Sequence, residues 1–212
     1  MEAENYIYNM SFTAGAAMMN ETHAVAGALL ECDGDWERTK EKIFKENLMN
    51  KDKASSNQRY FVLMKQRLES LNSAELRMLV NSTVAIRRLL VLLAICKAHA
   101  FIYDFIAENV RECFYNMQEK VTHASFNEFY NEKKYEHPEL EKVTEQTVAK
   151  MRQVIFRILE QTGLIESVTN GEIRRPYLTE ELEKLIVKDD AKWLSIYLYS
   201  NIEIANLHDL YA

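Results

Sequence analysis

The sequence has few of the residues that break helices or crosslink chains. Only 5 glycines and 2 prolines occur among 212 residues, while 48% of the chain is hydrophobic. These numbers argue against a disordered chain and against a turn-rich all-β fold. The three cysteines, Cys32, Cys96 and Cys113, are odd in number and form no CxxC pair. We therefore expect no disulfide framework or structural zinc site, and a reducing cytoplasm as the setting.

Signatures of catalysis are also missing. The chain contains no glycine-rich phosphate loop, no HExxH and no GxSxG motif. Its five histidines are scattered, and the pair Cys96 and His99 reads more simply as core residues than as a catalytic pair. The sequence therefore predicts a binding protein rather than an enzyme, with no metal site and no cofactor.

No segment resembles a signal peptide or a membrane span. The opening residues MEAENYIYNM lack a basic start and an apolar core. In the most hydrophobic region, residues 84–107, the longest uncharged run is Leu89 to Cys96, which is eight residues long. A membrane-spanning helix needs about 20 apolar residues. We expect a long helix through Ala107 that is buried in the core of a cytoplasmic protein.

Charge is distributed unevenly along the chain. The net charge is −6, yet residues 51–100 hold 9 basic and 3 acidic side chains. Local patches, rather than the total charge, set the field that a phosphate backbone meets. The middle of the chain is therefore a candidate nucleic-acid surface, and the alternative is a solvated helix face that happens to be basic.

Two predicted helices give this basic block the outline of a helix-turn-helix. These two helices follow an earlier predicted helix, which is expected from about Thr13 to Leu30. Asp35 caps a second, Trp36 to Asn47, and Ser55 or Ser56 caps a third, which runs to about Leu71. The third helix presents side chains that can read base edges or bind phosphate at its N-terminal end. The candidate DNA-binding residues here are Ser56, Asn57, Gln58 and Arg59, with Lys51, Lys53, Lys65 and Arg67 nearby.

A second candidate lies near the C-terminus. Thr144 is placed to cap a helix, Gly163 to end it, and Asn170-Gly171 to form the type I′ turn of a hairpin within 164–177. A helix followed by a small hairpin is how a winged helix ends, and this hairpin carries Arg174 and Arg175. The charged segment EKKYEHPELEK is the expected boundary between an N-terminal region, 1–135, and a C-terminal region, 140–212.

The order of segments resembles a known family. SFTAGAAMMNETHAVAGALL, KENLMNKDKASSNQRYFVLMKQRLESL, LLAICKAHAFIYDFIAENVRE and TVAKMRQVIFRILEQTGLI are similar to the BrxA family of BREX phage-defence systems, formerly unknown-function family 1819. The resemblance implies a mainly α, NusB-like protein that binds DNA. The family offers no catalytic residues that could be assigned to positions in this sequence.

The combined prediction is a mainly α protein. We expect an N-terminal helical bundle with a helix-turn-helix-like hairpin and a C-terminal winged-helix-like segment with one small β-hairpin. The expected function is non-enzymatic binding of duplex DNA, mainly through phosphates, in BREX defence. Two alternatives stay open: an adaptor that docks other BREX proteins, and RNA binding in the NusB manner.

Overall fold

The computed structural model describes residues 6–50 and 54–211, and helices dominate these residues. Short 3₁₀ segments lie at Met10–Ala14, Pro138–Lys142 and Ala191–Tyr197. The α-helices are α1 (Met19–Glu31), α2 (Trp36–Lys45), α3 (Ala54–Glu69), α4 (Ser73–Asn81), α5 (Val84–Ala98), α6 (Ala100–Asp104), α7 (Arg111–Tyr115), α8 (His123–Glu136), α9 (Glu145–Thr162), α10 (Glu180–Asp190) and α11 (Asn201–Tyr211). The mainly α prediction is confirmed.

Local capping sets most helix ends. The Asp35 side chain accepts hydrogen bonds from the first-turn N–H groups of α2, as predicted, and Asn72 and Glu75 form a capping box at the start of α4. The first helix starts later than expected, because Met10–Ala14 is a 3₁₀ segment and Met18 takes a left-handed conformation with φ +51°. The expected cap at Ser55 or Ser56 is wrong, since the helix already includes Ala54.

The apolar stretch that sequence analysis predicted as one helix is divided. Leu89 to Cys96 are buried, as predicted. His99 then takes an extended conformation, with φ −135° and ψ 90°, which ends α5. A π-helical segment, Phe105–Val110, follows α6 and leads into α7. In the described residues no single helix is long and apolar enough to cross a membrane; α5 and Ala100–Tyr115 pass that test only together, bent by 117°.

The buried apolar side chains form one contiguous cluster, which includes Tyr8 near one end of the chain and Tyr199 near the other. Phe101 lies 5.6 Å from Phe129 and Phe105 lies 5.5 Å from Phe126, ring centroid to centroid, in edge-to-face contacts. Such pairs add a small stabilisation beyond the area that they bury. Phe101, Phe105, Phe126 and Phe129 therefore pack in the core, whereas Tyr115 is exposed.

A buried ion-pair cluster joins helices that are distant in sequence. The ammonium group of Lys97 on α5 lies 2.8 Å from the Glu75 carboxylate on α4 and 2.7 Å from that of Asp189 on α10. The Glu75 side chain is fully buried and that of Lys97 nearly so. Tyr197 likewise donates a 2.9 Å hydrogen bond to the carbonyl oxygen of Leu89 on α5. These contacts connect the end of the chain to its centre.

The segment after α9 differs from its prediction. Thr144 caps α9, and Gly163 ends it with φ +84°, both as predicted. No strand follows within the described residues. The structure has two isolated antiparallel bridges instead of strands: Ile165 with Ile173, which lies within the predicted hairpin, and Lys120 with Glu172, which lies partly outside it. The winged-helix expectation is therefore not confirmed.

The turn explains this difference. Gly171 is left-handed with φ +64°, but Asn170 is not, so a two-residue type I′ turn does not form. Instead the Gly171 N–H donates to the carbonyl of Ser167 at 2.9 Å and closes a wider turn. The Gly171 carbonyl accepts a 3.0 Å hydrogen bond from the Val121 N–H. The segment before α8 thus pairs with this loop, in addition to the local contact between Ile165 and Ile173.

Candidate nucleic-acid interface

The predicted DNA-reading residues lie in the first turns of α3. Gln58 and Arg59 are exposed, Ser56 is half-buried, and Asn57 is buried. The Arg59 guanidinium lies 5.2 Å from the centre of the Tyr60 ring. No carboxylate in the described part of the chain forms an ion pair with it, so its charge is available. Lys51 and Lys53 lie outside the described residues.

Lys65 is only partly available. Its ammonium group lies 3.7 Å from the Glu69 carboxylate, one helical turn further along α3. It also lies 5.4 Å from the centre of the Trp36 ring on α2. Since the side chain is 36% exposed, this weak surface ion pair can exchange for a phosphate at little cost.

Arg67 has a structural position instead of a surface one. Its side chain is completely buried, and it donates hydrogen bonds to the carbonyl oxygens of Gly15 at 3.1 Å, Ala16 at 2.8 Å and Ala17 at 3.3 Å. Burial lowers the pKa of Arg67 to about 9, so the group is charged at neutral pH. The predicted role of Arg67 in DNA contact is wrong, because this charge is used to hold the segment before α1.

Arg174 and Arg175 are exposed but already paired. Arg174 lies 2.9 Å from the carboxylates of both Glu166 and Glu172. Arg175 lies 2.7 Å from the Glu203 carboxylate of α11 and 4.5 Å from the centre of the Tyr199 ring. A phosphate must compete with these carboxylates, so both arginines are weaker candidates than Arg59.

A basic groove that sequence reasoning missed lies elsewhere on the surface. We define the Arg87–Arg88 groove by its lining residues from α1, α5 and α9, which are Met19, Asn20, Val84, Arg87, Arg88, Glu160 and Gln161. Neither arginine forms an ion pair within the described parts of the chain. The available signal was the adjacent pair Arg87-Arg88 within the basic block.

Two polar side chains, Asp104 and His99, are buried in the interior. Asp104 accepts hydrogen bonds of 2.6 Å from the hydroxyl groups of both Tyr6 and Tyr8, which attaches the start of the described chain to α6. His99 is 1% exposed, and neither ring nitrogen has a hydrogen-bond partner among the described residues. Burial, together with the nearby charge of Arg67, lowers the pKa of His99 to about 3. His99 is therefore neutral at physiological pH.

Comparison with known proteins identifies the family. The profile of the BrxA family matches residues 6–190. The chain belongs to the BrxA family. The BREX protein BrxA of Escherichia coli O9:H4 (strain HS) is 24% identical over 81% of this chain and 81% of its own length. The BREX protein BrxA of Bacillus cereus (strain H3081.97) is 27% identical over 66% of this chain and 70% of its own length. The resemblance predicted from the sequence is confirmed.

A solved structure shares the BrxA fold seen here. The crystal structure of an uncharacterized protein from Magnetospirillum magneticum superposes with a TM-score of 0.80 at 18% identity. The match covers 91% of this chain and 98% of the other chain. BrxA membership makes this chain a component of a BREX system. Phage defence is therefore its setting.

Proposed function

We propose that this BrxA family member binds duplex DNA without catalysing a reaction on it, and that phosphate contacts supply most of the affinity. The basic block at 51–100 provides the local positive charge that such contacts need, in a chain whose net charge is −6. Other BREX proteins are its expected partners.

One observation carries this proposal. The N-terminal part of α3 exposes Gln58 and Arg59 side by side, and Arg59 has no ion pair with any described carboxylate. An arginine can bind a phosphate or the edge of a guanine, and a glutamine can bind the edge of an adenine. The proposed interface therefore consists of Ser56, Gln58, Arg59 and Lys65, with Lys51 and Lys53 earlier in the sequence. Asn57 is buried, so it does not belong to the exposed part of this surface. Arg174 and Arg175 form a weaker, second part.

The first test is a salt titration of binding to a duplex. We expect the triple variant Lys51→Ala, Lys53→Ala and Arg59→Ala to weaken binding to all sequences alike. The slope of log K against log salt should become shallower by about one for each lost phosphate contact. The double variant Arg174→Ala and Arg175→Ala should have the smaller effect, because Glu166, Glu172 and Glu203 already neutralise these arginines.

Circular dichroism should show that both variants are folded. Unchanged slopes in both folded variants would refute DNA contact by these residues. Failure of the wild type to bind duplex DNA would favour the adaptor alternative. A competition in which RNA displaces the duplex at equal nucleotide concentration would favour the RNA-binding alternative.

A further inference from the structure

The Arg87–Arg88 groove brings together three helix ends and two cations. The first turns of α1 and α5 and the last turn of α9 form its walls. Its volume of about 410 Å³ lies within the range of small-ligand sites, about 300–1,000 Å³. The site is thus larger than a single ion needs, and it can admit part of a longer ligand.

The charge in this groove is largely unopposed. Among the described residues Arg87 donates a single hydrogen bond, 3.3 Å long, to the carbonyl of Ser82, and its Nε is buried with no partner there. Arg88 forms no ion pair with a described carboxylate. One carboxylate, Glu160, lines the groove, but it already accepts from Arg157 at 2.7 Å and from the Val168 N–H at 3.0 Å.

The backbone adds positive potential from two directions. No side chain caps the first turn of α1, because Met18 precedes it in a left-handed conformation. At the start of α5 the Thr83 hydroxyl satisfies only the Ile86 N–H, at 3.4 Å. The N-terminus of a helix carries free N–H groups and about half a positive charge, which favours an anion. The C-terminus of α9 opposes this effect, because it carries a partial negative charge of similar size. The two arginines therefore make the electrostatic potential in the groove positive.

We propose that the Arg87–Arg88 groove binds a phosphate group. The forked guanidinium group matches phosphate geometry, and the exposed Arg88 side chain has no ion pair with a described carboxylate. The carrier of that phosphate is either a nucleic-acid strand or a free phosphorylated small molecule. Assignment to a nucleic-acid strand rests on the proposed DNA-binding function, whereas the phosphate site itself does not.

Two matched double variants test the site. Arg87→Ala with Arg88→Ala removes the groove cations. Arg38→Ala with Arg77→Ala removes two exposed arginines, on α2 and α4, that also have no ion pair with a described carboxylate. Both variants lower the net charge by the same amount. Val84→Glu is a third variant, which places a carboxylate at a groove position that is 63% exposed and leaves both arginines in place.

The first measurement is the melting temperature in inorganic phosphate, compared with sodium chloride at equal ionic strength. A ligand that binds the folded state raises the melting temperature. We expect phosphate to raise it for the wild type and the Arg38/Arg77 variant, and not for the Arg87/Arg88 variant or Val84→Glu. Absence of the shift in the wild type, or an equal shift in all four proteins, would overturn the proposal.

The second measurement separates the two carriers. If a nucleic-acid strand is the carrier, the salt slope of duplex binding should be shallower by about two in the Arg87/Arg88 variant than in the wild type. The slope of the Arg38/Arg77 control variant should stay nearer the wild-type value. A phosphate shift without any change in duplex binding would overturn the nucleic-acid assignment and favour a free phosphorylated molecule as the carrier. If the wild type does not bind duplex DNA, the proposed function fails. The melting temperature in phosphate still shows whether the groove binds a phosphate group.

Discussion

Replacing His99 with phenylalanine should make this protein less sensitive to acid. The imidazole is buried at the break between α5 and α6, where its ring lies 5.7 Å from that of Phe12, and both nitrogens lack described partners. Burial lowers its pKa from 6.5 to about 3. The unfolded chain therefore takes up a proton at His99 between these pH values, and the folded protein does not.

The sign and size of the effect follow from linkage. The pKa of His99 is lower in the folded protein than in the unfolded chain. The neutral imidazole therefore contributes its full share of the folding stability above pH 6.5, and this share is lost as the pH falls towards 3. Between pH 7 and pH 5 this amounts to about 2 kcal/mol, at about 1.4 kcal/mol per pH unit below 6.5. His99→Phe removes this contribution. At pH 7 the change should cost little, because a phenylalanine leaves no polar nitrogen unsatisfied.

Urea unfolding of the wild type and His99→Phe at pH 7 and pH 5 measures the difference. Carboxylates elsewhere also titrate in this range, but they do so in both proteins and cancel. We expect the wild type to lose about 2 kcal/mol more than the variant. Parallel losses in the two proteins would refute the argument, since they would mean that His99 is protonated in the folded state or finds a partner there.

Two further substitutions test the backbone contacts. Arg67→Ala should destabilise the fold by about 3–5 kcal/mol, because three carbonyl groups lose a buried charged donor; urea unfolding measures this, and a loss below about 1 kcal/mol would contradict it. Gly171→Ala should cost about 2 kcal/mol or more, because a Cβ would lie 2.1 Å from the Val121 carbonyl oxygen. Gly34→Ala is the control, with the same sign of φ and nothing within 4 Å, and an equal cost at both positions would refute the close approach.

Short-range features of the fold were predictable from the sequence. Asp35, Thr144 and Gly163 were identified from capping chemistry, which depends on residues within one turn of the chain. The burial of Leu89 to Cys96 followed from composition. The break at His99 did not, because the apolar pattern continues through it and only the three-dimensional packing divides it.

Features that depend on distant partners were missed. Asn170-Gly171 is a strong local hairpin signal, yet residues 119–121 pair with this loop and change its turn. An arginine such as Arg67 is expected at the surface when only the sequence is known. Its burial depends on the carbonyl groups of Gly15 to Ala17, which are about 50 residues away in the chain and accept its hydrogen bonds. Likewise, the neutralisation of Arg175 depends on Glu203, which is 28 residues away in the chain.

The Lys97 cluster has a consequence for any attempt to study the protein in pieces. All three N–H groups of the ammonium are used, two by the oxygens of Glu75 and one by Asp189. The predicted linker between 135 and 140 separates Asp189 from the other two along the chain. A fragment that ends at this linker would lose the Asp189 partner and the Trp193 ring that lie against Lys97. It would also expose to water the apolar surface that Tyr197 normally covers. Poor solubility of such a fragment would reflect the cut itself and would say little about the intact protein.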